Sequence, residues 1–83
     1  MKSDEILQMK YALTALDRVG RLTEEAIINH VALAQCQPLP TMDGQHLIRK
    51  MTEKGWIGSF TDPVLERVYH AITVHGRNAL LSF

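Results

Sequence analysis

The sequence has a single cysteine, no net charge and no long apolar run, and each of these features argues against a class of protein. Among its 83 residues Cys36 is the one cysteine, so no intrachain disulfide can form, which agrees with a reducing compartment. No apolar run approaches the roughly 20 residues that a membrane-spanning helix needs. The opening MKSDEILQ has no apolar core of the kind that a secretory signal carries. We therefore expect a cytoplasmic protein.

The chain also lacks the residue patterns that carry catalysis or hold a metal ion. It has no glycine-rich phosphate loop, no nucleophile elbow and no His-Glu-x-x-His helix. The side chains that could ligate a soft metal show neither Cys-x-x-Cys nor His-x-x-x-His spacing; they are His30, Cys36, His46, His70 and His75. We therefore predict a protein that is not an enzyme, with no catalytic residues, no metal site and no cofactor.

The charge balance does not favour a nucleic-acid partner by itself. Nine lysines and arginines oppose nine aspartates and glutamates, which gives a net charge of zero. Domains that bind DNA are usually basic, because contacts to phosphate supply much of their affinity. Residues 36–83 hold five basic and four acidic side chains, so the C-terminal half has a surplus of a single positive charge.

Apolar residues recur at helical spacing in three segments of the chain. The pattern predicts a first helix at about 4–19, which Gly20 ends, and a second helix at about 23–34. Two prolines stop the second helix, and a third is predicted at about 41–54 with Thr41 as its N-cap. Three helices in immediate succession indicate a small helical bundle.

The third predicted helix has one apolar side and one polar side. Leu47, Ile48 and Met51 form an apolar stripe that suits a core. The polar side chains on the other side are those of Gln45, His46, Arg49 and Lys50. This side therefore faces water or a partner.

The last third of the chain has the composition of a hairpin followed by a helix. Residues 56–60 are rich in large apolar side chains, residues 61–63 signal a turn, and an alternating strand pattern follows. We predict a two-stranded hairpin at about 56–74. Thr73 then begins a short C-terminal helix at about 74–82.

Three helices, two strands and a short helix over residues 1–83 predict one domain of the α+β class that is mostly helical. The element order is that of a winged helix-turn-helix, in which a three-helix bundle precedes a β-hairpin called the wing. In this arrangement the third helix is the recognition helix.

The segments KGWIGSF and RVYHAITVHGRNALL resemble the end of the DNA-binding domain in PadR-like and MarR-like bacterial transcriptional regulators. In those families a glycine and large apolar residues begin the wing, and an aromatic strand runs into Thr-x-x-Gly-Arg and an apolar helix. The residues that carry the resemblance here are Ile72, Thr73, Gly76, Arg77, Ala79 and Leu80. The resemblance implies a winged-helix fold and a regulator that binds double-stranded DNA.

Six side chains are predicted to contact DNA if the third helix enters a major groove. Glutamine and arginine can bind base edges with two hydrogen bonds, and lysine binds phosphate. The predicted set is Thr41, Gln45, His46, Arg49, Lys50 and Arg67. In this set Thr41 offers a hydroxyl to phosphate, and Arg67 reaches the backbone or minor groove from the wing. The alternative for the helix is an ordinary solvated face.

Two functions remain open at this point: a transcriptional regulator that binds DNA, and a winged-helix protein–protein interaction module without DNA binding. The zero net charge favours the second, whereas Arg49, Lys50 and Arg67 favour the first. The first helix is apolar over a wide arc, and residues 79–83 are apolar except for Ser82. Since an exposed tail of this kind is sticky, we predict a homodimer through the first helix and the C-terminal segment.

Overall fold

Three helices precede a β-hairpin, and a fourth helix follows it. The computed structural model describes residues 3–83, and the elements are α1 (Ser3–Val19), α2 (Glu24–Gln35), α3 (Thr41–Glu53), β1 (Ile57–Asp62), β2 (Arg67–Ile72) and α4 (Val74–Ser82). This is the α+β winged helix-turn-helix architecture, so the predicted fold class is confirmed. Within residues 3–83, no helix has the length and apolar character that crossing a membrane requires.

Threonine hydroxyls cap two of the helices. The Thr23 hydroxyl accepts a hydrogen bond from the Ala26 amide at 3.3 Å, at the start of α2. The Thr73 hydroxyl accepts one from the Gly76 amide at 3.1 Å, at the start of α4. Each bond satisfies one of the amides that a helix N-terminus leaves unpaired.

The N-cap predicted for α3 is wrong by one residue. Pro40 is the N-cap, and its carbonyl accepts the Gly44 amide at 2.9 Å. Proline suits this position because its ring fixes φ, here at −58°, while ψ is 144° and extended. Thr41 is therefore the first residue of the helix, and the Pro40 side chain makes no capping hydrogen bond.

The core lies between the three N-terminal helices and the inner end of the hairpin. All of its buried side chains are apolar; they are Met9, Ala12, Leu13, Ala15, Leu16, Leu22, Ile27, Ile28, Val31, Leu47, Ile48, Met51 and Ile57. Helices α2 and α3 approach closely at Gly44, where a Cβ would overlap the Ile28 side chain. The apolar stripe predicted for α3 is therefore the side that is buried.

The hairpin is antiparallel, with a register from Ile57↔Ile72 at its base to Asp62↔Arg67 beside its loop. Leu22 lies on the other side of β2 and exchanges two backbone hydrogen bonds with His70, at 3.0 and 2.7 Å. Strand β2 therefore has a partner along both edges at this point, which attaches the wing to the link between α1 and α2.

Helix α4 folds back onto α1 of its own chain. Arg77 Nε donates to Asp17 Oδ1 at 3.3 Å, and Leu80 packs against the core. The Phe83 ring meets the partly buried Trp56 ring edge to face, with centroids 6.0 Å apart. Part of the C-terminal segment that was predicted to form a dimer interface is thus used within the chain.

His70 gives the fold a testable pH dependence. Its side chain is partly buried, its Nδ1 has no hydrogen-bond partner among the described residues, and burial lowers its pKa from the usual 6.5. The unfolded chain then binds a proton before the folded chain does, so stability is present above about pH 6.5 and is lost as the pH falls below it.

We expect the urea midpoint of unfolding to fall between about pH 7.5 and 5.5, and to fall less in His70→Gln. His30→Gln is the control, because His30 is exposed on α2 and should keep the full pH dependence. Equal pH dependence in His70→Gln and the unmodified protein would contradict this account.

Candidate nucleic-acid interface

The exposed side of α3 presents four side chains as one surface, which we call the α3 face. It consists of Met42, Gln45, His46 and Arg49, which are exposed and line one shallow depression. Their spacing of three, four and seven residues places them on one side of a helix, opposite the buried stripe. Helix α3 therefore offers a continuous surface of mixed polar and apolar chemistry.

Met42 belongs to this surface but was not among the predicted site residues. Its side chain is 81% exposed in the first turn of α3. The signal was present in the sequence, because Met42 precedes Gln45, His46 and Arg49 at helical spacing. Sequence reasoning passed over it because an apolar residue is more often buried than presented to a partner.

The basic residues of α3 and of its C-cap differ in whether another residue of the chain contacts their charged groups. Lys50 forms an ion pair with Glu5 of α1, and Lys54 Nζ lies 5.2 Å from the centre of the Trp56 ring. Arg49 has no acidic partner within 4.0 Å in the described part of the chain. Arg49 is therefore the cation of this helix that is most available to an external anion.

The pair formed by Lys50 and Glu5 joins α3 to the first turn of α1. Both side chains are partly buried, with 31% of Lys50 and 20% of Glu5 exposed. The Lys50 ammonium holds the pKa of Glu5 below its usual range, by more than burial raises it. Of the basic side chains among the predicted site residues, Lys50 is thus the one that forms an ion pair within the described part of the chain.

Glu24 is an acidic residue near two of the predicted site residues, Gln45 and Arg67. Its Oε2 accepts a hydrogen bond from Gln45 Nε2 at 3.4 Å, and it lines a surface depression together with Arg67. Gln45 on α3 therefore contacts a carboxylate at the start of α2, and Arg67 on β2 lines the same depression as that carboxylate. This carboxylate reduces the positive potential between helix and wing.

The tip of the wing is apolar rather than basic. Val64 is 87% exposed and Leu65 is 53% exposed in the loop between the strands. Asp62 Oδ1 accepts the amides of both residues, and these bonds, with that to Leu65 the stronger influence, lower the Asp62 pKa. Arg67 stands at the last paired position before this loop and is exposed. It is the cation that the outer hairpin offers.

Thr41 is exposed at the start of α3, beside amides that point out of the helix N-terminus. The structure thus places Thr41, Gln45, His46 and Arg49 on or next to the α3 face, with Lys50 at its edge. Arg67 lies on the wing, in a depression that Glu24 also lines. Within residues 3–83, no group of three or more histidine, cysteine, aspartate or glutamate side chains is arranged to hold a metal ion.

A comparison with solved structures supports this fold, whereas two comparisons of the sequence found no match. No protein-family model matches the sequence, and no curated protein does either. Among solved structures, the chain is similar to that of MepR from S. aureus in complex with DNA, with a TM-score of 0.65 and 22% sequence identity. The match covers all of this chain and 54% of the MepR chain, so the sequence spans about half the length of that protein. At this identity the likeness shows a winged-helix fold.

Proposed function

We propose that this chain is the DNA-binding domain of a transcriptional regulator, with α3 in the major groove. The observation that carries the proposal is the α3 face, a row of exposed side chains on the helix that enters the groove in such folds. Arg49 would bind guanine, Gln45 would bind adenine, and Met42 would contact a thymine methyl group. The similarity to a protein that was solved bound to DNA supports the same reading.

Three further predicted residues, Thr41, His46 and Arg67, also belong to the proposed interface. Thr41 and the first amides of α3 bind a phosphate, since a helix N-terminus favours an anion. His46 lies beside Arg49 on the α3 face, and Arg67 contacts the DNA backbone or minor groove from the wing. The domain acts by binding, in the cytoplasm and without a catalytic step or a cofactor.

Binding should depend on salt less steeply than in a strongly basic domain. Among the arginine and lysine side chains predicted to contact DNA, Arg49 and Arg67 have no acidic partner within 4.0 Å in the described part of the chain. Each phosphate contact contributes about 0.9 to the slope of log affinity against log salt. We therefore expect a slope of about −1 to −3 for one subunit.

Fluorescence anisotropy with a labelled random-sequence duplex tests the proposal directly. We expect saturable binding at about 25 mM salt that weakens measurably by about 200 mM. Absence of any binding at the lowest salt concentration would refute it. Selection of bound duplexes from a random pool would then identify the preferred sequence.

A protein-interaction module without DNA binding is the second candidate, and the wing tip favours it. Val64 and Leu65 are exposed; Asp62 precedes the loop they occupy, and Glu66 is its last residue. An apolar, acid-flanked tip suits a protein surface better than a phosphate backbone. Failure of the anisotropy experiment would leave this candidate as the better account.

We also propose a homodimer, formed through the outer sides of α1 and α4. Leu81 is 86% exposed and Val74 is 70% exposed on α4, and Ile6 and Leu7 are 40% and 44% exposed on α1. Burying these side chains across a two-fold axis would remove them from water. Two α3 faces would then bind the two halves of a palindromic site.

Light scattering at micromolar concentration is expected to give the mass of a dimer, and Leu81→Asp is expected to give a monomer. Leu33→Asp is the matched control, because Leu33 is 77% exposed but lies on α2. A monomer in the unmodified protein would exclude the dimer. A dimer that persists in Leu81→Asp would place the interface elsewhere.

A further inference from the structure

One carboxylate lies on the core-facing side of α1, where the neighbouring side chains are apolar. Glu5 precedes Met9 by four residues and Leu16 by eleven, so the three share one line along the helix. Met9 and Leu16 are fully buried, and the Glu5 side chain is 20% exposed. A carboxylate in such a position requires a compensating charge.

Lys50 supplies that charge from α3. Glu5 Oε1 is buried and receives no hydrogen bond of regular geometry among the described residues, so the Lys50 ammonium is its main compensation. Removing the ammonium would leave an ionised oxygen buried and unpaired. The pair is therefore held together by the burial of Glu5 as well as by the attraction between the charges.

Lys50 also occupies a position from which it could bind DNA. It follows Arg49 directly and lies at the edge of the α3 face, and residues at the edge of a recognition helix commonly contact phosphate. We propose that Glu5 withholds Lys50 from the phosphates and thereby limits the DNA affinity of the domain. This inference rests on the proposed function. A neutral side chain at position 5 removes the cost of separating the pair and frees Lys50 for phosphate.

Glu5→Gln tests this, with Asp4→Asn as the matched control. Asp4 lines the same cleft between α1 and α3 and is exposed. The Asp4→Asn substitution therefore removes one negative charge from the same region without releasing a lysine. At about 100 mM salt we expect Glu5→Gln to bind a random-sequence duplex about three- to tenfold more tightly, with a salt slope steeper by about one unit. Asp4→Asn should change the affinity by less than about twofold.

The gain must also depend on Lys50. In a Lys50→Gln background, adding Glu5→Gln should change the affinity no more than Asp4→Asn does. An equal gain in Asp4→Asn, or an undiminished gain without Lys50, would overturn the inference and leave the proposed function intact. If neither the unmodified protein nor Glu5→Gln binds duplex DNA at low salt, the proposed function fails and the inference fails with it. Circular dichroism confirms that each variant is folded.

A measurement without DNA tests the ion pair itself. The Glu5 carboxyl faces Lys50 and His46 of α3, with Asp4 and Asp43 lining the same cleft. In an NMR titration of the carboxyl carbons, Lys50→Gln should raise the Glu5 pKa. A Glu5 pKa that does not move would show that Lys50 is not held and would overturn the inference.

Discussion

Replacement of Gly76 by alanine is expected to destabilise the protein by about 2–3 kcal/mol, close to the upper end for overpacking a tight contact. An alanine Cβ at this position would overlap the backbone carbonyl oxygen of Trp56 and the Ile72 side chain. A backbone oxygen cannot rotate away as a side chain can, so α4 would have to move. Movement of α4 would weaken the packing of Leu80 on the core and the pair between Arg77 and Asp17.

Thermal unfolding followed by circular dichroism measures this effect. For a domain of this size the loss corresponds to a fall of about 10–20 °C in Tm. Gly58→Ala is the matched control, since a Cβ at Gly58 would meet no atom within 4 Å; its Tm should change by only a few degrees. Equal Tm values for the two variants would show that α4 is not packed as described.

Gly76 also shows what the sequence could and could not reveal about the C-terminal segment. The resemblance to bacterial regulators rested partly on Thr73, Gly76 and Arg77, and the structure gives each a physical role. Thr73 caps α4, Gly76 permits close contact with Trp56, and Arg77 pairs with Asp17. The pattern predicted the helix, whereas Trp56 and Asp17, which Gly76 and Arg77 contact, lie far away in sequence and could not be predicted from local spacing.

The same limit applies to the candidate site. Helical periodicity separated the buried Leu47, Ile48 and Met51 from the exposed Gln45 and Arg49, because both sets belong to one helix. Periodicity alone could not distinguish Lys50 from Arg49, since both are basic and adjacent. The difference between them is a tertiary contact with Glu5, which is 45 residues earlier in the chain.

The ion pairs of the fold show where some of the opposing charges behind the zero net charge lie. Glu5 pairs with Lys50, Asp17 with Arg77, and Asp62 lies 4.0 Å from Arg21. These acids are engaged within the fold, and each offsets the charge of the cation beside it. The composition gives the net charge, but the positions of the charged side chains determine which of them a DNA phosphate would contact.

Arg49→Ala is expected to weaken duplex binding about ten- to hundredfold, which corresponds to the roughly 1–3 kcal/mol of one good arginine contact. Arg49 is exposed on the α3 face and outside the buried stripe, so the variant should retain its Tm within a few degrees. The salt slope should become shallower by about one unit if the lost contact includes phosphate.

Arg18→Ala is the matched control for general electrostatics. Arg18 is exposed in a groove between α1 and α2 that no α3 residue lines. The Arg18→Ala substitution therefore removes one positive charge, as Arg49→Ala does, but at a place away from the α3 face. We expect its affinity to change by less than about twofold. Arg49→Lys separates the charge of Arg49 from its ability to form two hydrogen bonds with a guanine. Lysine keeps the positive charge, so binding to a random-sequence duplex should persist. Lysine cannot form the bidentate contact, so the preference for guanine should be lost. Equal losses in Arg49→Ala and Arg18→Ala would mean that DNA is attracted to the domain without being read by α3.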